Sequence, residues 1–174
     1  LPDLAILTAS KQDVLVRVNN GDGTFAPGVS ICDAGCATLL AGPESMVAAD
    51  LDGNGFDDLI IGNRNRNQPV ILFNNGDMTF TSAAGPAVGN LDASSVAVGQ
   101  FDNVDAFVDL AVASEFSDQV RVFRNNGSGS FSLLQTLSPG DNPADLVAVD
   151  LNNDGLTDLS VVNLADNSIR TFLL

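Results

Sequence analysis

Two stretches of this 174-residue chain set oxygen-bearing side chains at alternate positions around a glycine. In the first, Asp50, Asp52, Asn54 and Asp58 occupy positions 1, 3, 5 and 9. Gly55 sits at position 6, and Phe56 offers a backbone carbonyl at position 7. The second stretch repeats the pattern with Asp150, Asn152, Asp154 and Asp158 around Gly155, with the carbonyl of Leu156 at position 7. Alternate residues of a tight loop can turn their side chains toward one centre, and the glycine permits the sharp reversal. An all-oxygen donor set suits Ca²⁺, which accepts about six to eight oxygens in adaptable geometry, whereas Mg²⁺ demands a smaller, near-octahedral cage. Two calcium sites are therefore expected. Without a cation, the gathered carboxylates would repel one another and oppose closure of the loop.

A third stretch departs from the pattern. Gln100 stands where the opening Asp belongs, the loop is one residue longer, and no glycine follows Asp105. Asp102, Asp105 and Asp109 are expected to form a polar turn that has lost its ion. An EF-hand is excluded for the first two stretches. Position 12 is Ile61 or Val161 rather than a bidentate Glu, and the residues from Asp58 and from Asp158 onward read as strand rather than helix.

The composition narrows the chemistry further. There are 22 acidic and 7 basic residues, for a net charge of −15, and no His, Trp or Tyr. Nearly all the acids are Asp, the residue of turns and hard-metal sites. Phosphate binding needs clustered Lys and Arg, so nucleic acid is excluded as a partner. The missing His removes the commonest general base, and no Ser or Cys has a His partner, so no catalytic residue is assigned. No apolar run approaches the roughly 20 residues of a membrane-spanning helix, so no membrane insertion is expected. Cys32 and Cys36, in Cys-Asp-Ala-Gly-Cys, are expected to close a small disulfide loop of the kind found in oxidising compartments.

The elements that must hold these loops recur along the chain. Asp-Leu followed by β-favouring residues begins at Asp3, Asp58, Asp109 and Asp158, at spacings of 55, 51 and 49 residues. A second apolar segment comes after each, from Val14, Val70, Val120 and Ile169. The first three copies continue into Asn-Asn-Gly turns ending at Phe25, Phe80 and Phe131, where another strand should begin. A further strand precedes each Asp-rich loop, at residues 45–50, 94–100 and 145–150. Four short strands in about 40–50 residues is the size of one propeller blade. No window of helical length carries a 3.6-residue period.

The expected fold is thus an all-β propeller of about three and a half four-stranded blades, read as one region over 1–174. Blade one is partial (1–44), blades two (45–93) and three (94–144) are complete, and blade four is partial (145–174). Asp3 matches the closing Asp58 of a loop whose start is absent. The chain therefore reads as a piece of a larger ring of seven or eight blades, with a small four-bladed ring as the alternative. The end blades would be completed by the rest of the parent chain or by a second copy. The recurring Phe25, Phe80 and Phe131 read as packing between blades.

The stretches VAADLDGNGFDDLIIGN (47–63) and VAVDLNNDGLTDLSVVN (147–163), with the NNGDGTF-type turns, resemble the FG-GAP/VCBS repeat family over essentially the whole chain. Similar repeats occur in integrin alpha-chain propellers, some lectins and many bacterial surface proteins. The resemblance implies an extracellular, secreted or cell-surface setting and a non-catalytic role in adhesion or protein–protein interaction, with structural calcium. The partner would be a protein or a glycan. A calcium-dependent carbohydrate-binding lectin and an assembly subunit that pairs through its end blades are the alternatives. Arg64 and Arg66, in a polar loop, either recognise an acidic partner or are merely solvated.

Overall fold

The computed structural model describes residues 1–89 and 92–174. It contains four antiparallel sheets in chain order. The first holds β1 (Leu4–Thr8), β2 (Asp13–Arg17) and the two-residue β3 (Val29–Ser30). A short helix, α1 (Ala34–Leu39), leads to the second sheet of β4 (Pro43–Ala49), β5 (Asp58–Asn63), β6 (Val70–Asn74) and β7 (Phe80–Ala84). The third has β8 (Ser95–Gly99), β9 (Asp109–Ser114), β10 (Gln119–Asn125) and β11 (Phe131–Leu137). The fourth has β12 (Pro143–Val149), β13 (Asp158–Asn163) and β14 (Ser168–Phe172). Each sheet is an up-and-down meander, the first strands β4, β8 and β12 lie in contact, and the whole is a partial β-propeller.

The apolar runs explain how the sheets stack. Every residue of β5 and of β9 is buried. A strand with both faces covered needs no polar alternation. The period of two instead sorts side chains between two cores. Leu59, Ile61, Val70 and Leu72 face the first sheet and pack with Val14, Val16, Ile31 and Leu40. Ile60 and Ile71, one residue out of step, face the third sheet and pack with Leu51, Val96, Leu110 and Val112. Ala111, Ala113, Val120 and Val122 in turn face Leu146, Leu159 and Val161 of the fourth. Phe80 and Phe131 pack at the edges of these cores, which is the packing role their recurrence suggests.

The first sheet departs from the repeat. Its third strand does not begin at Phe25, which makes only a single bridge to Asn19. Pro27 has no N–H to give to a ladder, so pairing resumes only at Val29. The segment after β3 forms α1, a helix too short for its period to show in the sequence. Its start is set by Asp33, whose carboxylate accepts from Cys36 N–H at 2.7 Å. Cys36 is fully buried in the core between the first two sheets and is disulfide-bonded to Cys32. Ser82 on β7 donates to Asp33 at 3.2 Å and ties the helix to the second sheet.

Full burial of Ile60 predicts that Ile60→Ala costs about 2–5 kcal/mol of unfolding free energy, through lost transfer energy and a cavity between sheets. Ile169→Ala, at a residue 73% exposed, should change stability by less than about 0.5 kcal/mol. Urea denaturation of both variants tests whether the intersheet cores carry the fold.

Candidate metal centre

The link from β4 to β5 is a loop built by its own carboxylates. Asp50 Oδ1 accepts from the N–H groups of Gly53 (2.8 Å) and Asn54 (3.2 Å), and Oδ2 accepts from Gly55 (2.9 Å). Gly53 and Gly55 hold φ of +76° and +88°, in the left-handed region that glycine adopts without penalty. Asn54 turns its carbonyl oxygen to Phe56 N–H and donates through its amide to Asn74 O. The outcome is a cluster in which Asp50, Asp52 and Asp58 each bring a carboxylate oxygen within 4.8 Å of the other two. Asp58 is fully buried, and Asp50 and Asp52 are half-buried. Burial pushes the Asp58 carboxyl above its ordinary value, N–H donation from Asn74 and Leu51 opposes this, and the charges of Asp52 and Asp50 add to the rise. Three hard oxygen donors with too little positive charge nearby fit a hard divalent cation.

The loop before β13 shares this backbone but not the cluster. Asp150 accepts from Asn153 (2.7 Å) and Gly155 (3.1 Å), and Asn153 takes the place of Gly53 with φ of +60°. The acid has moved from position 3 to position 5. Asn152 donates to Asp154 Oδ2 at 2.8 Å, and Asp154 Oδ1 accepts from Leu156 N–H. Asp154 is thereby turned onto its neighbours. Among the described residues, only the first loop gathers three acidic groups.

In the third loop, Gln100 does structural work from the position of the missing Asp. Its amide nitrogen donates to the carbonyls of Asp102 (2.8 Å) and Asp105. Its backbone exchanges hydrogen bonds with Thr157 of the fourth sheet. Arg124 on β10 pairs with Asp102.

One residue at the head of each second strand does a job that the motif spacing did not reveal. Asp58 Oδ2 accepts from Leu51 N–H in the loop (2.9 Å), and its Oδ1 accepts from Asn74 N–H at the end of the third strand (2.8 Å). Asp109 repeats this with Phe101 and Asn125, and Asp158 with Leu151 and Leu174. Asp3 keeps the second half, accepting from Asn19 N–H at 2.9 Å. The partner always lies 16 residues on. In three sheets that partner is Asn, whose amide donates back to the carbonyl just before the Asp, at Pro2, Asp57 and Val108. The same Asn accepts from the turn glycine two residues later. The first Asn of each Asn-Asn-Gly turn is therefore half of a reciprocal clamp. The signal available in the sequence was the constant offset from Asp to Asn.

The turn glycines also make room. A Cβ on Gly76 would lie 2.5 Å from the Phe56 ring, and one on Gly127 would lie 2.3 Å from the Phe107 ring. Position 7 of the loop thus covers the turn as well as closing the loop. Arg64 pairs with Glu44 (2.9 Å) on its own sheet and Glu115 (3.0 Å) on the third. Arg66 donates to Thr38 O. Both arginines of the polar loop pair within the fold while remaining exposed.

Two predictions test the clamp and its electrostatics. Asp109→Asn replaces one acceptor with an NH₂ facing a backbone N–H. It should cost about 2–4 kcal/mol in denaturant unfolding, with or without metal. Burial, the first cause in each case, also raises the carboxyls of Asp92, Asp109 and Glu115 above their ordinary values. A carboxyl with a raised folded pKa binds more protons folded than unfolded, so its contribution is lost as pH rises through that pKa. The melting temperature in EDTA should therefore rise as pH is lowered from neutrality toward the ordinary carboxylate range. Asp22, Asp77 and Asp102 are shifted downward and act only below the ordinary value of 3.8, outside this window.

Comparison with known proteins places this arrangement. No curated protein sequence matches the chain. Among solved structures, it is similar to an Agrocybe aegerita lectin described as recognising non-reducing terminal N-acetylglucosamine. The identity is 22% and the TM-score 0.57, over 92% of this chain and 46% of that one. It is also similar to BBS1N in its complex with ARL6DN, at 14% identity and TM-score 0.54, over 98% of this chain and 52% of the other. The chain spans about half the length of these solved chains, and at such identities the likeness shows the fold alone. The model for an FG-GAP-like repeat matches residues 1–61, 50–103 and 103–161. These matches run from the first sheet into the fourth, and the chain belongs to the FG-GAP-like repeat family.

Proposed function

We propose that this chain is a non-catalytic, extracellular binding module in which calcium closes two loops of the propeller as a structural ion. The observation that carries the reading is the convergence of Asp50, Asp52 and Asp58. Asn54 and the Phe56 carbonyl would complete the first site. Asp150, Asn152, Asp154, Asp158 and the Leu156 carbonyl would form the second, once Asp154 leaves Asn152. The bound ion supplies the positive charge that lets these carboxylates sit together. Its binding free energy becomes folding free energy.

A lack of catalysis is supported by the chemistry of the chain. It has no His, and both cysteines are held in a disulfide. That disulfide supports an oxidising, extracellular or cell-surface setting. Among the described residues, no helix is long and apolar enough to cross a membrane. The ligand would be a protein or a glycan engaged by the loop-bearing face. The lectin reading draws on the similar lectin fold and on a polar cleft between the third loop and the loop before β13. That cleft is lined by Asp102, Asn103, Asp105 and Asp154. Selective binding on a glycan array would favour the lectin over the protein-binding reading.

The fourth sheet adds a surface for assembly. Val147, Val149 and Leu151 are 53%, 44% and 50% exposed, on the face that in the second and third sheets packs against the next sheet. A further sheet, from the rest of a parent chain or from a second copy, would cover it.

At calcium a hundredfold above Kd, each site adds about 2.7 kcal/mol, which is roughly 5–11 °C in Tm for a chain of this size. EDTA should lower the melting temperature by that order, and added calcium should restore it more fully than magnesium. Asp50→Ala and Asp150→Ala should each remove one site's share. A melting curve indifferent to calcium would sink the reading.

A further inference from the structure

The third loop has lost its opening Asp and its glycine, and one further change accompanies that loss. Arg124 lies at the position held by Val18, Phe73 and Leu173 in the other three sheets, each one residue before the partner of the clamping Asp. A cation occurs at this position only in the copy whose metal motif is broken. Its Nε donates to Asp102, whose side chain is 11% exposed. The pairing with Asp102 leads, and the charges of Asp102, Asp105 and Asp109 together hold the guanidinium firmly protonated. Gln100 fills the rest of the loop by donating to the carbonyls of Asp102 and Asp105. Asp109 still clamps Phe101 and Asn125, as its counterparts do in the metal-type loops.

We infer that the Arg124 guanidinium is the resident cation of the third loop, taking the place a divalent ion would hold, so that this sheet closes without metal and the chain takes two calcium ions rather than three. A carboxylate-rich loop needs a compensating positive charge to close. Here that charge is covalently part of the neighbouring strand. It cannot be removed by chelation and pays no binding entropy from solution. The count of two ions rests on the calcium reading proposed for the other two loops; the role of Arg124 in closing the loop does not.

The test uses wild type, Arg124→Met and Arg124→Lys, with CaCl₂ as the only added metal. In EDTA, Arg124→Met should melt about 2–4 °C below wild type, and Arg124→Lys should recover at least half of that loss. A methionine variant as stable as wild type overturns the inference, as does a lysine variant as unstable as the methionine one. Calorimetric titration of wild type should count two equivalents of calcium. Three equivalents overturn the inference, whereas none defeats the calcium reading and leaves the EDTA melting to decide on Arg124. Should the methionine variant not fold, hydrogen exchange on wild type decides. After chelation, the amides of Leu51 and Asn74 should exchange at least about tenfold faster, while those of Phe101 and Asn125 stay slow. Equal acceleration at both pairs overturns the proposal.

Discussion

In the second, third and fourth sheets, a carboxylate buried at the head of the second strand holds the loop end together. Burying an ionised group is costly unless its oxygens are hydrogen-bonded. Asp58 and Asp109 meet that cost with two backbone N–H donors apiece, one from the loop and one from the end of the third strand. These donors would otherwise be orphans, because the loop and the strand end have no ladder partner at that point. The clamp thus solves two problems of satisfaction at once. Everything at the loop-bearing end is arranged around it, including the turn glycine under the aromatic ring and the gathering of Asp50 and Asp52 beside Asp58.

The packing between sheets supplies the rest of the constraint. Because β5 and β9 are covered on both faces, each side chain has a fixed assignment to one of two cores, and a slip of one residue would exchange them all. The clamp opposes such a slip by fixing where the second and third strands meet. Charge then concentrates where packing ends. The loops collect carboxylates, and the chain compensates them in two different ways. One loop presents a cluster suited to a metal, and another is served by Arg124 and Gln100.

The strands were legible in the sequence because their signals are local. Alternating or continuous apolar runs between Asn-Gly and Asp-rich turns place β5, β6, β9 and β10 without any knowledge of what packs on them. The convergence of Asp50, Asp52 and Asp58 was legible for the same reason, since the three fall within nine residues. What escaped depends on partners far apart in the chain. The pairing of Arg124 with Asp102 spans 22 residues and two strands. The helix at Ala34–Leu39 depends on a capping Asp and a buried cysteine rather than on any periodicity. The altered second loop shows that exchanging Asp and Asn between positions 3 and 5 keeps the motif recognisable yet lets Asp154 bond its neighbour.

The fixed 16-residue span between clamping Asp and its partner also says where such a chain can grow. The repeats differ in length, yet all four copies keep this span, so every insertion has been taken up outside it. The extra residue of the third loop and the helix with its disulfide both lie outside this span. Each sheet is therefore divided into a hairpin of rigid length and flanking segments of free length. Foreign sequence grafted into the flanking segments would leave the frame standing, whereas one residue added within the hairpin would pull the Asp from its donor.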